Sequence, residues 1–145
     1  MKTAIIYYSK HHGNTRKLVD TIAAKHGVER IDCLNGKKDL SGYDRIGLAS
    51  GIYAGHSAKQ LQSYAKEHLP ENKDVFIIVT SAAPADRYFN DLRKIAEEKR
   101  CKVLGTYQCQ GFNTFGPFKL IGGTAKGHPT QKELDDVVRF YESLK

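Results

Sequence analysis

Residues 3–15 read T-A-I-I-Y-Y-S-K-H-H-G-N-T, and the character of the chain changes within them. Thr3 to Tyr8 is a short apolar run rich in β-formers, which reads as a strand. Ser9 to Thr15 is small and polar and contains Gly13, and from Asn14 to His26 the apolar residues Leu18, Val19, Ile22 and Ala23 recur at helical spacing. A strand that turns sharply into a helix points the backbone N–H groups of residues 10–15 inward at the helix's positive end, where a phosphate is favoured. Gly13 permits close backbone approach. Ser9, Asn14 and Thr15 add side-chain donors. The pattern is neither G-x-G-x-x-G nor G-x-x-x-x-G-K-[ST], so neither a dinucleotide pyrophosphate nor a nucleotide triphosphatase is indicated. On spacing alone, the same residues also suit an ordinary strand-to-helix turn with Asn14 as a cap.

Outward from this turn, strands and helices alternate to the end of the chain. Val28–Cys33 and Asp44–Ser50 read as the second and third strands. Asp74–Ser81 contains V-F-I-I-V, a continuous apolar run that suits a central parallel strand covered on both faces. Lys102–Gln110 reads as the fifth strand. Helical faces appear over Ser57–Leu69 (Ala58, Leu61, Ala65, Leu69), Arg87–Lys99 (Phe89, Leu92, Ile95, Ala96) and Thr130–Leu144 (Leu134, Val137, Val138, Tyr141, Leu144). Thr130 and Glu133 form a T-x-x-E capping-box pattern just after Pro129. This alternation predicts an α/β fold, a doubly wound five-stranded parallel sheet with helices on both faces. The two available orders are the dinucleotide type and 2-1-3-4-5. No linker, repeat or low-complexity tract is visible, so residues 1–145 are read as one domain. The stretch 111–128 has five glycines and three phenylalanines, and a connection of that length is expected to be a lid or binding loop.

Composition narrows the function classes. Hydrophobic residues make up 40% and charged residues 27% of 145, as in an ordinary globular protein. No apolar run approaches the roughly 18 residues of a membrane span. Met1-Lys2-Thr3 leads straight into a strand without a signal peptide's long apolar stretch, so a cytoplasmic location is expected. Cys33, Cys101 and Cys109 contain no C-x-x-C pair; they read as buried small hydrophobes rather than a disulfide framework or metal site. Histidines 11, 12, 56 and 128 fall in the expected loops, but their spacing fits no standard metal cluster. The net charge of +7 is spread along the chain without a block of five or six like charges, and so modifies function rather than defining it.

S-x-x-x-G-N-T directly after the first strand resembles the phosphate loop of flavodoxins, and the order of strands and helices agrees with that family from end to end. The resemblance implies the flavodoxin-like order 2-1-3-4-5 and flavin mononucleotide (FMN) as cofactor. It places Ser9, Lys10, His11, His12, Gly13, Asn14 and Thr15 around the FMN phosphate. It also assigns the loop after the third strand, Ser50-Gly51-Ile52-Tyr53-Ala54-Gly55-His56, to one face of the isoalloxazine ring. Tyr53 is the stacking candidate, since a phenol ring suits a flat π-system with a wet edge. The loop after the fourth strand, with Thr80, Ser81 and Ala82, would meet the ring edge. It lacks the second aromatic that many flavodoxins use there, and Phe112, Phe115 and Phe118 are candidates for the remaining face, Phe112 among the expected cofactor contacts.

What the resemblance implies is single-electron transfer between redox partners, with no catalytic residue beyond the flavin's own chemistry. Ala54-Gly55 would let a peptide flip toward the half-reduced ring. The Y-x-G-H order of the second loop also resembles flavodoxin-like protoporphyrinogen oxidases, so the alternative is an FMN-dependent oxidoreductase acting on a quinone or protoporphyrinogen-like substrate. Typical flavodoxins are acidic and this chain is basic, which implies redox partner proteins with an acidic docking patch and a less negative reduction potential. A monomer that binds no nucleic acid and has no membrane span completes the expectation.

Overall fold

A computed structural model describes residues 1–9, 13–36, 39–111 and 127–144 of the chain. β1 (Thr3–Tyr8) leads into α1 (Asn14–His26), which ends in a left-handed Gly27 that returns the chain to β2 (Glu29–Asp32). β3 (Arg45–Tyr53) is followed by the two-residue β4 (His56–Ser57) and α2 (Lys59–His68). β5 (Asp74–Ser81), a 3₁₀ turn over Asp86–Phe89, α3 (Asn90–Glu98), β6 (Lys102–Gln110) and α4 (Gln131–Ser143) complete the order. The main sheet runs β2-β1-β3-β5-β6 with every pairing parallel, which is the expected order 2-1-3-4-5. β4 is an addition to it: the expected third strand runs three residues further, to Tyr53, and folds back as an antiparallel hairpin. The other central strands lie where the apolar runs place them.

The alternation of strand side chains produces two cores. On one face Ile5, Ala49, Phe76 and Ile78 pack with Leu18, Val19 and Ile22 of α1 and with Val137 and Val138 of α4. On the other, Ile6, Leu48, Ile77 and Val79 pack with Leu61 and Ala65 of α2 and with Leu92, Ile95 and Ala96 of α3. Each fully buried branched aliphatic here contributes about 1.5–3 kcal/mol over its exposed state. β5 is covered on both sides, the reason its sequence is apolar at consecutive positions rather than at alternate ones.

α4 carries the expected capping box. Thr130 Oγ1 accepts from Glu133 N at 3.2 Å and Thr130 N donates to Glu133 Oε1 at 2.8 Å. At the amino end of the sheet Arg45 is 6% exposed, its Nε has no hydrogen-bond partner among the described residues, and its guanidinium lies 6.0 Å from the Tyr141 ring centroid. Among the described residues no helix is long and apolar enough to cross a membrane.

Candidate functional site

Three loops meet at the carboxyl ends of β1, β3 and β5. The first passes from β1 into α1 through Gly13, which caps the helix in the left-handed region (φ 62, ψ 35), a conformation glycine adopts at little cost. The first turn of α1 holds no acidic side chain. Its amides therefore face the loop with the positive end of the helix uncompensated by a carboxylate of that turn. Ser9 Oγ accepts a long contact from Arg16 N at 3.4 Å. Thr15 is 1% exposed, and its hydroxyl lies 3.0 Å from the hydroxyl of Thr80. Lys10, His11 and His12 lie outside the described residues.

The second loop is a hairpin. Ile52 pairs with Ser57 and Tyr53 with His56, leaving Ala54 (φ 52) and Gly55 (φ 85) as the two turn residues. Two consecutive positive φ values are the signature of a type I′ turn, whose twist matches that of the strands it joins. Ser50 Oγ donates to Gly51 O at 2.6 Å and accepts from Ala58 N at 2.9 Å, tying the end of β3 to the start of α2. Tyr53 is half-buried, edge-on to Tyr8 with centroids 5.8 Å apart, and lies over Gly51, where a Cβ would come within 3.0 Å of its hydroxyl. His56 is exposed, and its Nδ1 lies 2.9 Å from Asp91 Oδ2 on α3.

The third loop follows β5 and is braced from β6. Gln110 Nε2 donates to Ala82 O at 3.1 Å, Ala85 N donates to Gln108 Oε1 at 3.1 Å, and Gly111 N donates to Ser81 O at 2.9 Å. Gly111 also abuts Asn14: a Cβ there would lie 2.6 Å from Asn14 Nδ2. The end of β6 thus touches both the first and the third loops. Ser81 is 8% exposed, and its hydroxyl has no hydrogen-bond partner among the described residues.

None of the three thiols is set up as a nucleophile. Burial, with Asp32 nearby, pushes the Cys33 thiol up to about 11. Burial, helped by Glu133, pushes that of Cys109 up to about 12, and burial also raises Cys101. All three are protonated thiols at neutral pH, the unreactive form. Among the described residues no group of three or more His, Cys, Asp or Glu could hold a metal ion.

The flavodoxin domain model matches residues 5–111, nearly three-quarters of the chain and all three loops. The chain belongs to the flavodoxin family. A relative from Methanocaldococcus jannaschii, an uncharacterised protein, is 33% identical over 147 residues, covering 99% of this chain and 98% of its own. Flavodoxin 1 of Bacillus cereus shares the fold at a TM-score of 0.72 and 16% identity, with 100% of each chain covered. The Fusobacterium nucleatum flavodoxin, solved bound to flavin mononucleotide, does so at 0.65 and 18%, again covering 100% of each.

Within this flavodoxin-family chain the fold brings Ser9, Gly13, Asn14 and Thr15 to the mouth of β1, and Ser50 to His56 to the mouth of β3. Thr80, Ser81 and Ala82 stand at the end of β5. Thr15 and Thr80, read from sequence as serving different loops, form one buried hydroxyl pair. Phe112, Phe115 and Phe118, the candidates for the second ring face, lie outside the described residues. Gln108 and Gln110 were not singled out in the sequence. Their signal is two amides two residues apart in the last turn-ward stretch of β6, on a strand whose fourth-strand neighbour is apolar.

Proposed function

We propose that this chain binds FMN across the carboxyl ends of β1, β3 and β5 and carries electrons between partner proteins. The residues present suit that group. The start of α1 offers its first backbone amides, the Ser9 and Thr15 hydroxyls and a first turn free of acids to a dianionic phosphate. Tyr53 and the Ala54-Gly55 turn flank the space beside the ring, while Ser81 and Ala82 offer hydroxyl and backbone groups to its polar edge. The single observation that carries the reading is Ser81: a hydroxyl buried at the mouth without a partner among the described residues costs about 1–3 kcal/mol unless something arrives to bond it. When bound, FMN supplies the electron-transfer chemistry, and the protein supplies position and electrostatics.

The net charge of +7 supports partners that present an acidic patch to this end of the molecule. Arg16, Lys17, Lys59 and Arg87, all exposed, stand on the elements that surround the mouth. Association should weaken as salt screens these charges.

Titrating the apoprotein with FMN and following quenching of flavin fluorescence tests the reading. A saturable complex, yellow and reducible by dithionite, is the expected result. A protein that remains colourless with excess FMN refutes it. Rapid turnover of a free quinone without any protein partner would assign an enzyme in place of a carrier.

A further inference from the structure

The Thr15–Thr80 pair has a direction. Thr15 opens the buried row of α1 that continues through Leu18, Val19 and Ile22, and Thr80 closes the β5 row of Phe76 and Ile78. The two hydroxyls are therefore the last rung of an otherwise apolar helix–sheet contact, at the end that faces the first loop. They are 1% and 3% exposed and 3.0 Å apart. Among the described residues each has the other as its side-chain hydrogen-bond partner. Two hydroxyls share two protons, and only one proton can lie between the oxygens. If Thr15 donates to Thr80, its proton is spent inside the core. If Thr80 donates to Thr15, the Thr15 proton remains available to an acceptor in the loop.

We propose that Thr80 is a positioning residue for the phosphate rather than a contact of the flavin ring: it donates to Thr15 and so commits the Thr15 hydroxyl to donate to a phosphate bound at the start of α1. This rests on the FMN reading above and deepens it. An anion at the helix start selects this order, because a hydroxyl that accepts one hydrogen bond becomes a better donor in the next. Thr80, 3% exposed, is shielded from the water that would otherwise take its proton.

The test compares FMN with riboflavin, which carries the same ring without a phosphate. Dissociation constants for both are measured by fluorescence quenching on the intact chain and on Thr80→Val and Thr80→Ser. Thr80→Val is expected to weaken FMN about tenfold while leaving riboflavin within about twofold, and Thr80→Ser is expected to restore the preference. A variant that has only loosened the fold weakens both ligands alike. Equal losses for the two ligands, or no loss for either, would overturn the assignment while the FMN reading stands. Failure of the unaltered chain to bind FMN would overturn both. If Thr80→Val does not fold, Thr80→Cys fills similar space with a weaker donor and is expected to lower the FMN-to-riboflavin preference. An unchanged preference there counts against the proposal.

Discussion

Ser81 shows what a single atom can report. Its hydroxyl lies buried and unbonded among the described residues, so its removal has opposite effects on two states. Ser81→Ala should stabilise the apoprotein by about 1 kcal/mol, since a desolvated hydroxyl is replaced by a methyl group, yet weaken FMN binding. Urea unfolding of the apoprotein and a flavin titration measure the two arms, and loss of stability in the first would show that the hydroxyl is satisfied after all. The thiols give a second expectation. With Cys33 pushed up to about 11 and Cys109 to about 12, a disulfide-exchange reagent at pH 7.5 should label the folded chain slowly and the urea-unfolded chain fast. Ser81 was legible in sequence as a loop residue but not as an orphan, because a missing partner is a property of three-dimensional neighbours. The same holds for Thr15 and Thr80, which lie 65 positions apart in sequence.

At the scale of elements, sequence read well where one local signal dominated. The period of α4 and its T-x-x-E start sufficed to place both the helix and its cap. Burial alone would push Glu133 up, but the Thr130 amide and His128 beside it hold it below the usual carboxylate range. A carboxyl with a depressed folded-state pKa contributes stability that is full above its unfolded value of about 4.3 and is lost as pH falls through the folded value. Gln keeps the capping bond, so Glu133→Gln should cost only the carboxylate's charge at the helix start, roughly 0.3–1 kcal/mol at neutral pH, and flatten the acid limb of a stability–pH curve. Unfolding midpoints between pH 7 and pH 3 check both statements. In sequence the β3–β4 hairpin reads as a loop because Ala54 gives no hint of a positive φ; cross-strand pairing imposes it. An alanine in that region costs about 1–2 kcal/mol, while glycine's extra freedom in the unfolded chain returns only about 0.4–1. Ala54→Gly should raise the unfolding midpoint in urea, by roughly 0.5–1 kcal/mol in free energy.

For the molecule as a whole, the excess of cations should show in the potential of the bound flavin. One charge about 10 Å from the ring, at an effective dielectric of roughly 40–80, is worth about 0.4–0.8 kcal/mol, or roughly 20–35 mV per charge. The reduction potential should lie above those of acidic family members and fall as ionic strength rises. Potentiometry that finds an equal or lower value contradicts this. The order of the sheet was legible because the alternation of apolar runs and helical faces, with right-handed crossovers, leaves few arrangements. The sequence did not reveal which loops would lean on one another, since Gln110 reaches Ala82 and Gly111 reaches Asn14 only once β6 lies beside β5.

The far end of the sheet holds a contrasting cation. Arg45 leans on an aromatic face, and its Nε has no hydrogen-bond partner among the described residues. Added electrolyte screens the exposed cations around the mouth, but it acts far less on one enclosed in this way. Salt should therefore loosen docking at one end of the sheet while leaving the packing of Arg45 against Tyr141 at the other nearly untouched.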